Sequence, residues 1–153
     1  MMAHVEPAEE KHVAELLNIG LRAEDAEEIF AYGWTPERML NESFRNSTLA
    51  WAIMDDGHCI GMFGVGAKNT LSPVGVPWLL GSDGIKKIWL QFLKQCRFYL
   101  DIMNDIYPVL ENWVDARYET SLKWAKWLEF TVDDPAPYGI LGRPFCRIER
   151  RRG

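Results

Sequence analysis

Cysteine is scarce in this chain: Cys59, Cys96 and Cys146 stand far apart, and their number is odd. A disulfide framework is therefore excluded, and no paired spacing suggests a metal site. The three read as reduced thiols in apolar or mixed surroundings, and no metal is expected. Long apolar runs are missing too. No stretch approaches the roughly 20 residues that cross a bilayer. The opening MMAHVEPAEEKHV lacks the basic region and apolar core of a secretory signal, so a signal peptide is not expected. There is no repeat, low-complexity tract or linker. The net charge of -5 has the wrong sign for a general nucleic-acid footprint. The exception is the C-terminal cluster Arg147, Arg150, Arg151 and Arg152. It reads as a solvated, frayed tail, or else as a contact for phosphate or an acidic partner surface.

What is present is apolar residue in quantity: 48% of 153 residues, enough to bury a core as one domain, residues 1–153. The chain is organised around residues 76–103, VPWLLGSDGIKKIWLQFLKQCRFYLDIM. A short apolar run meets a break at Gly81-Ser82-Asp83-Gly84. Then Ile85, Ile88, Trp89, Phe92, Cys96, Tyr99, Leu100 and Met103 recur at spacings of three and four, the mark of a helix with one buried face. A strand turning through glycine into a helix start leaves backbone N–H groups free beside the positive end of the helix dipole. That arrangement suits an anion.

Before this stretch, residues 3–6 read as a short strand, and Pro7 as the first turn of a helix running to about Leu17. Residues 23–32 form a helix with Ala26, Ile29 and Phe30 on its apolar side, and Thr35-Pro36 opens another. From Thr48, Leu49, Trp51 and Ile53 alternate with Ala50, Ala52 and Met54. Asp56-Gly57 then turns the chain into a second strand carrying Gly61, Gly64 and Gly66, which predicts close approach by another element. After Pro108, residues 109–116 read as a buried strand and 118–128 as an amphipathic helix. Tyr118, Ser121, Leu122, Ala125 and Leu128 face inward, with Trp124 and Trp127 on roughly the opposite side. Residues 130–132 start a strand, 133–142 read as a loop, and 145–149 as the last strand. The sum is an α+β, mixed α/β fold.

This order, carried by VPWLLGSDG, then YPVLENWVDARYETSLKWAKWLEF, then PYGILGRPFCRIER, resembles the GNAT acyltransferase superfamily over most of the chain. Within it, the sequence is most similar to small phage-encoded GNAT-like proteins, a group that includes an internal virion protein of short-tailed phages. The resemblance implies a central mixed sheet with splayed central strands and helices on both faces. It also implies an acetyl-CoA site over Leu80, Gly81, Ser82, Gly84, Ile85, Lys86 and Lys87, with backbone N–H groups between residues 78–81 and 110–114 polarising the thioester carbonyl.

The departures shape the functional expectation. The turn lacks the glycine spacing and the leading basic or amide residue of GNAT enzymes. Asp83 is expected to occupy the amides a pyrophosphate would use, with Lys86 and Lys87 partly offsetting it. At the position of the GNAT tyrosine acid stands Ala125, which moves no proton. Tyr118 replaces an asparagine, and Glu129 a glycine. Glu111 is the weak candidate for a base, against the alternative of a surface or strand-edge carboxylate. His4, His12 and His58 read as solvated. Trp124 and Trp127 read as a partner interface, or alternatively as packed under the 133–142 loop.

The leading expectation is therefore a phage virion or virion-associated protein, in the internal core or head–tail region, in the virion or host cytoplasm. It would bind other virion proteins or itself, with no catalysis and no cofactor. The alternative is an active acetyl-CoA-dependent N-acetyltransferase on an unidentified amine, and a third is an acetyl-CoA-binding regulator without turnover.

Overall fold

In the computed structural model, which describes residues 3–153, eight strands make one mixed sheet in the order β1-β2-β3-β4-β5-β8-β6, with β7 added to β8. The strands are β1 (His4–Pro7), β2 (Ser47–Asp55), β3 (His58–Ala67), β4 (Val74–Gly81), β5 (Val109–Asp115), β6 (Thr131–Val132), β7 (Ala136–Tyr138) and β8 (Arg143–Arg151). Three helices, α1 (Glu10–Ile19), α2 (Ala23–Tyr32) and α3 (Pro36–Arg45), precede β2. A 3-10 segment (Asp83–Ile88) leads into α4 (Trp89–Ile106), and α5 (Glu119–Trp127) follows β5.

The alternation in β2 sorts the two faces. Leu49, Trp51 and Ile53 pack with α4 and α5, while Ala52 and Met54 pack with the α1–α3 layer. The turn between β2 and β3 is Asp56-Gly57, with φ 51° and 77°, the double left-handed geometry that Asp-Gly favours in a two-residue hairpin. The glycines of β3 serve the approach of β2 itself. A Cβ at Gly64 would lie 2.4 Å from the Leu49 carbonyl oxygen, and one at Gly66 would lie 2.5 Å from that of Asn46.

Several local expectations are corrected. Pro7 ends β1 instead of opening a helix. The α1 start is set by a capping box between Glu9 and His12, and His12 is 2% exposed, its second ring nitrogen 3.0 Å from Glu6. His4 and His58 are exposed, beside Glu6 and Glu15. In α2 the inward side is Asp25, Ile29 and Ala31, and Phe30 faces solvent. Ser121 is exposed too. The arginine-rich terminus is no frayed tail: Arg147, Arg150 and Arg151 belong to β8, and Arg152 just beyond it donates its amide to the Pro108 carbonyl at 2.9 Å. Arg147 bridges Glu111 and Glu149. Arg150 is buried, donating to the Leu128 carbonyl, Asn104 and Asp101. Residues 133–142 are not only loop: they contain β7, and Tyr138 on it stacks against Trp113. Cys59 and Cys146 are buried and Cys96 half-buried, all unpaired.

Candidate active site

The centre of the sheet opens. β4 and β5 are parallel neighbours only at Val74↔Val109 and Gly75↔Leu110, after which they diverge. The Asn112 side chain spans the gap, its amide donating to the Pro77 carbonyl at 2.5 Å. Antiparallel pairing of β4 with β3 fixes which β4 groups face this gap. Gly81 directs its N–H to Asp25 and its C=O to the Arg22 amide, so it spends neither on β3. Residues two apart share an edge, and Leu79 pairs opposite Phe63 in the same register. The Leu79 N–H therefore opens into the divergence, where a polarised carbonyl oxygen would find it. Pro77, on the same edge, has no N–H to offer.

Two clefts meet at this gap. The first, of about 410 Å³, lies under α2 and α3 and has an aromatic wall that includes Tyr32, Trp78, Trp113 and Tyr138. The second, of about 260 Å³, runs between α4 and α5 and is lined by Trp89, Cys96, Tyr99, Trp124 and Ala125 among others. It continues to a mouth of about 600 Å³ bearing Arg22, Lys86 and Arg117 along with Glu24 and Glu119. Asp25, Glu28, Trp78, Leu79, Asn112 and Trp113 line both of the first two clefts, so they mark the junction.

Glu28 is the titratable group poised there. Burial, and then the charges of Asp25 and Asp115, push its carboxyl up to about 8. It is held in place by its neighbour one turn earlier. Asp25 Oδ2 accepts from Gly81 N and from Arg22 Nε, each at 2.9 Å, while Arg22 N donates to Gly81 O at 2.9 Å. The start of α2 is thus clamped to the end of β4. Burial raises Asp25 as well, against the lowering pull of Arg22.

The residues expected from the sequence fare differently. Glu111 is tied by Lys68 Nζ at 2.7 Å and Arg147 at 2.6 Å. Burial works to raise its pKa, but these two cations outweigh it and hold the carboxyl below the usual range. It lies outside both clefts, which makes it a structural ion-pair partner. In the turn, Leu80 is a ladder residue of β4. The Gly81 amide goes to Asp25, that of Ser82 to the Ile60 carbonyl, and that of Ile85 back to Ser82. Asp83 does not cover the cradle: its side chain is 80% exposed and sits 3.5 Å from Lys86. Among the described residues the amides of Asp83 and Gly84 donate to nothing. Lys86 reaches the cationic mouth, whereas Lys87 is exposed outside it. Trp124 and Trp127 touch edge to face, but they do not share an outer surface. Trp124 packs against the core with its indole N–H buried and unpartnered. Trp127 is 42% exposed under the Arg97 guanidinium. Tyr118 donates to Glu27 at 2.6 Å, and burial with that bond raises its pKa.

No protein-family model matches the sequence, and no curated protein is significantly similar to it. Solved structures do match. An N-acetyltransferase from Staphylococcus aureus Mu50 superimposes with a TM-score of 0.74 at 16% identity, covering 100% of both chains. A GNAT-family acetyltransferase from Streptococcus pneumoniae gives 0.69 at 13% identity, over 99% of this chain and 100% of the other. The ribosomal-protein-S5-alanine acetyltransferase from Vibrio fischeri gives 0.70 at 12% identity, over 99% and 94%. The fold is the GNAT fold. In GNAT terms, the parting of β4 and β5 is the expected splay of the central strands, with helices on both faces of the mixed sheet. The acetyl-CoA expectation meets a site that fits it. The mouth carries Arg22, Lys86 and Arg117, each ion-paired with carboxylates, and two turn amides are open. Trp124 lines the apolar passage, with its indole N–H buried and unpartnered beneath the surface. Among the described residues no cluster of His, Cys, Asp or Glu is arranged to hold a metal, and no helix is long and apolar enough to cross a membrane.

Proposed function

We propose that this protein is an acetyl-CoA-dependent N-acyltransferase in which Glu28 is the general base. The observation that carries the reading is the position of Glu28 where the aromatic cleft, the apolar passage and the open edge of β4 meet. Acetyl-CoA would supply the activated acetyl thioester, its phosphates at Lys86, Arg117 and the amides of Asp83 and Gly84, its pantetheine arm along the apolar passage beside Trp124. Glu28, with its carboxyl near 8, accepts a proton from an ammonium nitrogen arriving through the aromatic cleft and so frees the nitrogen lone pair. The Leu79 N–H stabilises negative charge that develops on a carbonyl oxygen in the splay. Ala125 removes the side-chain acid, yet a thiol of pKa about 8.5 leaves as thiolate without strong assistance.

The virion-protein reading draws on Asp83, Ala125, Glu129 and the resemblance to phage-encoded proteins, with a closed amide cradle as its main physical premise. With Asp83 turned to solvent that premise is gone, and the similar solved structures named above are acetyltransferases. Release of free thiol from acetyl-CoA with a panel of amines tests the proposal. Turnover is expected, with Glu28→Gln slowing it by about 10²–10⁴. Acetyl-CoA at millimolar concentration giving neither heat nor thermal stabilisation would eliminate the reading.

A further inference from the structure

The acetyl acceptor has a chemistry that the aromatic cleft specifies. Six rings line it, drawn from five separate stretches of the chain: Tyr32 and Trp34, Trp78, Trp113, Tyr138 and Phe145. Five of them, all but Trp78, form a connected wall. Trp113 stacks on Tyr138 with centroids 4.6 Å apart and planes at 15°, Tyr138 meets Tyr32 at 6.0 Å, and Tyr32 meets Trp34 edge-on at 5.4 Å. Among the described residues lining this cleft none is lysine, arginine or histidine, while Asp25, Glu28 and Glu42 are acidic. Cationic side chains collect instead at the opposite mouth. Those cations are themselves ion-paired, Arg22 with Asp25, Lys86 with Glu24 and Asp83, and Arg117 with Asp115 and Glu27, whereas the ionisable groups lining the aromatic cleft, its tyrosines apart, are all carboxylates.

The three carboxylates are not equivalent. Asp25 is neutralised by Arg22 and the Gly81 amide, and Glu42 accepts from the Asn46 side chain at 3.2 Å. Glu28 has no side-chain partner among the described residues, so the cleft provides for one ammonium group and not for a chain of them. Six rings around one acidic group match a cation whose remaining surface is flat and apolar, through ring stacking and cation–π contact. Resting on the acyltransfer reading above, we infer that the acceptor is a small primary monoamine carried on an aromatic body, an arylalkylamine, seated among these rings with its ammonium group at Glu28.

Calorimetric titration with tryptamine tests this against three others: tryptophol, with the same ring and no charge; spermidine, with several charges and no ring; and a short peptide with a free alanine N-terminus. Tryptamine is expected to bind at least about tenfold more tightly than each of the others. Trp113→Leu should weaken it by about tenfold. Tyr32→Leu, at a half-exposed helix end, provides a second variant should the first misfold. Equal binding of tryptophol, or tighter binding of spermidine or the peptide, overturns the inference. Thiol release with spermidine or peptide, but none with tryptamine, also overturns it while leaving acyltransfer intact. Tryptamine bound tightly without any thiol release supports the acceptor site and removes the acyltransfer reading instead.

Discussion

Asp25 and Gly81 are joined by a buried hydrogen bond of 2.9 Å that spans 56 residues of sequence. With the return bond from the Arg22 amide to the Gly81 carbonyl, it fixes α2 against the end of the central strand. Asp25→Ala leaves the Gly81 N–H and the Arg22 guanidinium without their acceptor in a buried place. A loss of about 2–4 kcal/mol in urea denaturation is expected. Turnover should fall as well, because Glu28 rides on the same helix. A loss under about 0.5 kcal/mol would mean that the clamp is ornamental.

Glu28 gives two linked pH dependences. If Glu28 is the general base proposed, the rate should climb with pH and level off above about 8. Stability runs the other way. The folded-state pKa of about 8 lies above the ordinary 4.5, so the folded protein binds more protons between these values. The favourable contribution is complete below 4.5 and is lost as pH rises through 8. Glu28→Gln should then be nearly neutral for stability at pH 4.5 and stabilising by roughly 2–3 kcal/mol at pH 9, a figure discounted for partial solvent access. Parallel thermal melts at the two pH values check the sign.

Glu129 sits at φ 73°, the left-handed residue that closes α5. Its N–H bonds Lys126 O at 3.0 Å and the Phe130 N–H bonds Ala125 O at 2.9 Å, a Schellman arrangement that favours glycine. Its carboxylate is 66% exposed, 3.7 Å from Arg150, and offers little in return. Glu129→Gly is expected to stabilise by about 0.5–1 kcal/mol. A lowered melting temperature would show the Arg150 contact to matter more than the backbone.

Asp83 and Lys86 separate the two accounts of the turn. Since the Asp83 carboxylate is in solvent, Asp83→Asn should leave acetyl-CoA affinity within about twofold. Lys86→Ala removes a cation from the mouth and should weaken binding by about 5–10-fold. A large gain in affinity from Asp83→Asn would restore the picture of a blocked cradle.

Much of the architecture was written locally. The Asp56-Gly57 hairpin, the alternation from Leu49 to Met54, the Thr35-Pro36 helix start and the long stripe from Ile85 to Met103 each depend on periodicity or turn chemistry within a few residues, and each is present. Glu111 and Asp83 show where such reading stops. Residue type and place in the chain describe both, but what a carboxylate does depends on which cations and amides reach it, and Lys68 and Arg147 reach Glu111 from 43 and 36 residues away.

The sequence by itself determined most of the elements and the two faces of the sheet, because backbone preference and apolar period act over short range. Only the tertiary structure decided that the Glu28 carboxyl is desolvated and raised to about 8 and that Tyr138 belongs to the cleft. Desolvation and ring stacking are properties of a place, and α2, β4, β5 and β7 make that place only when the chain is folded.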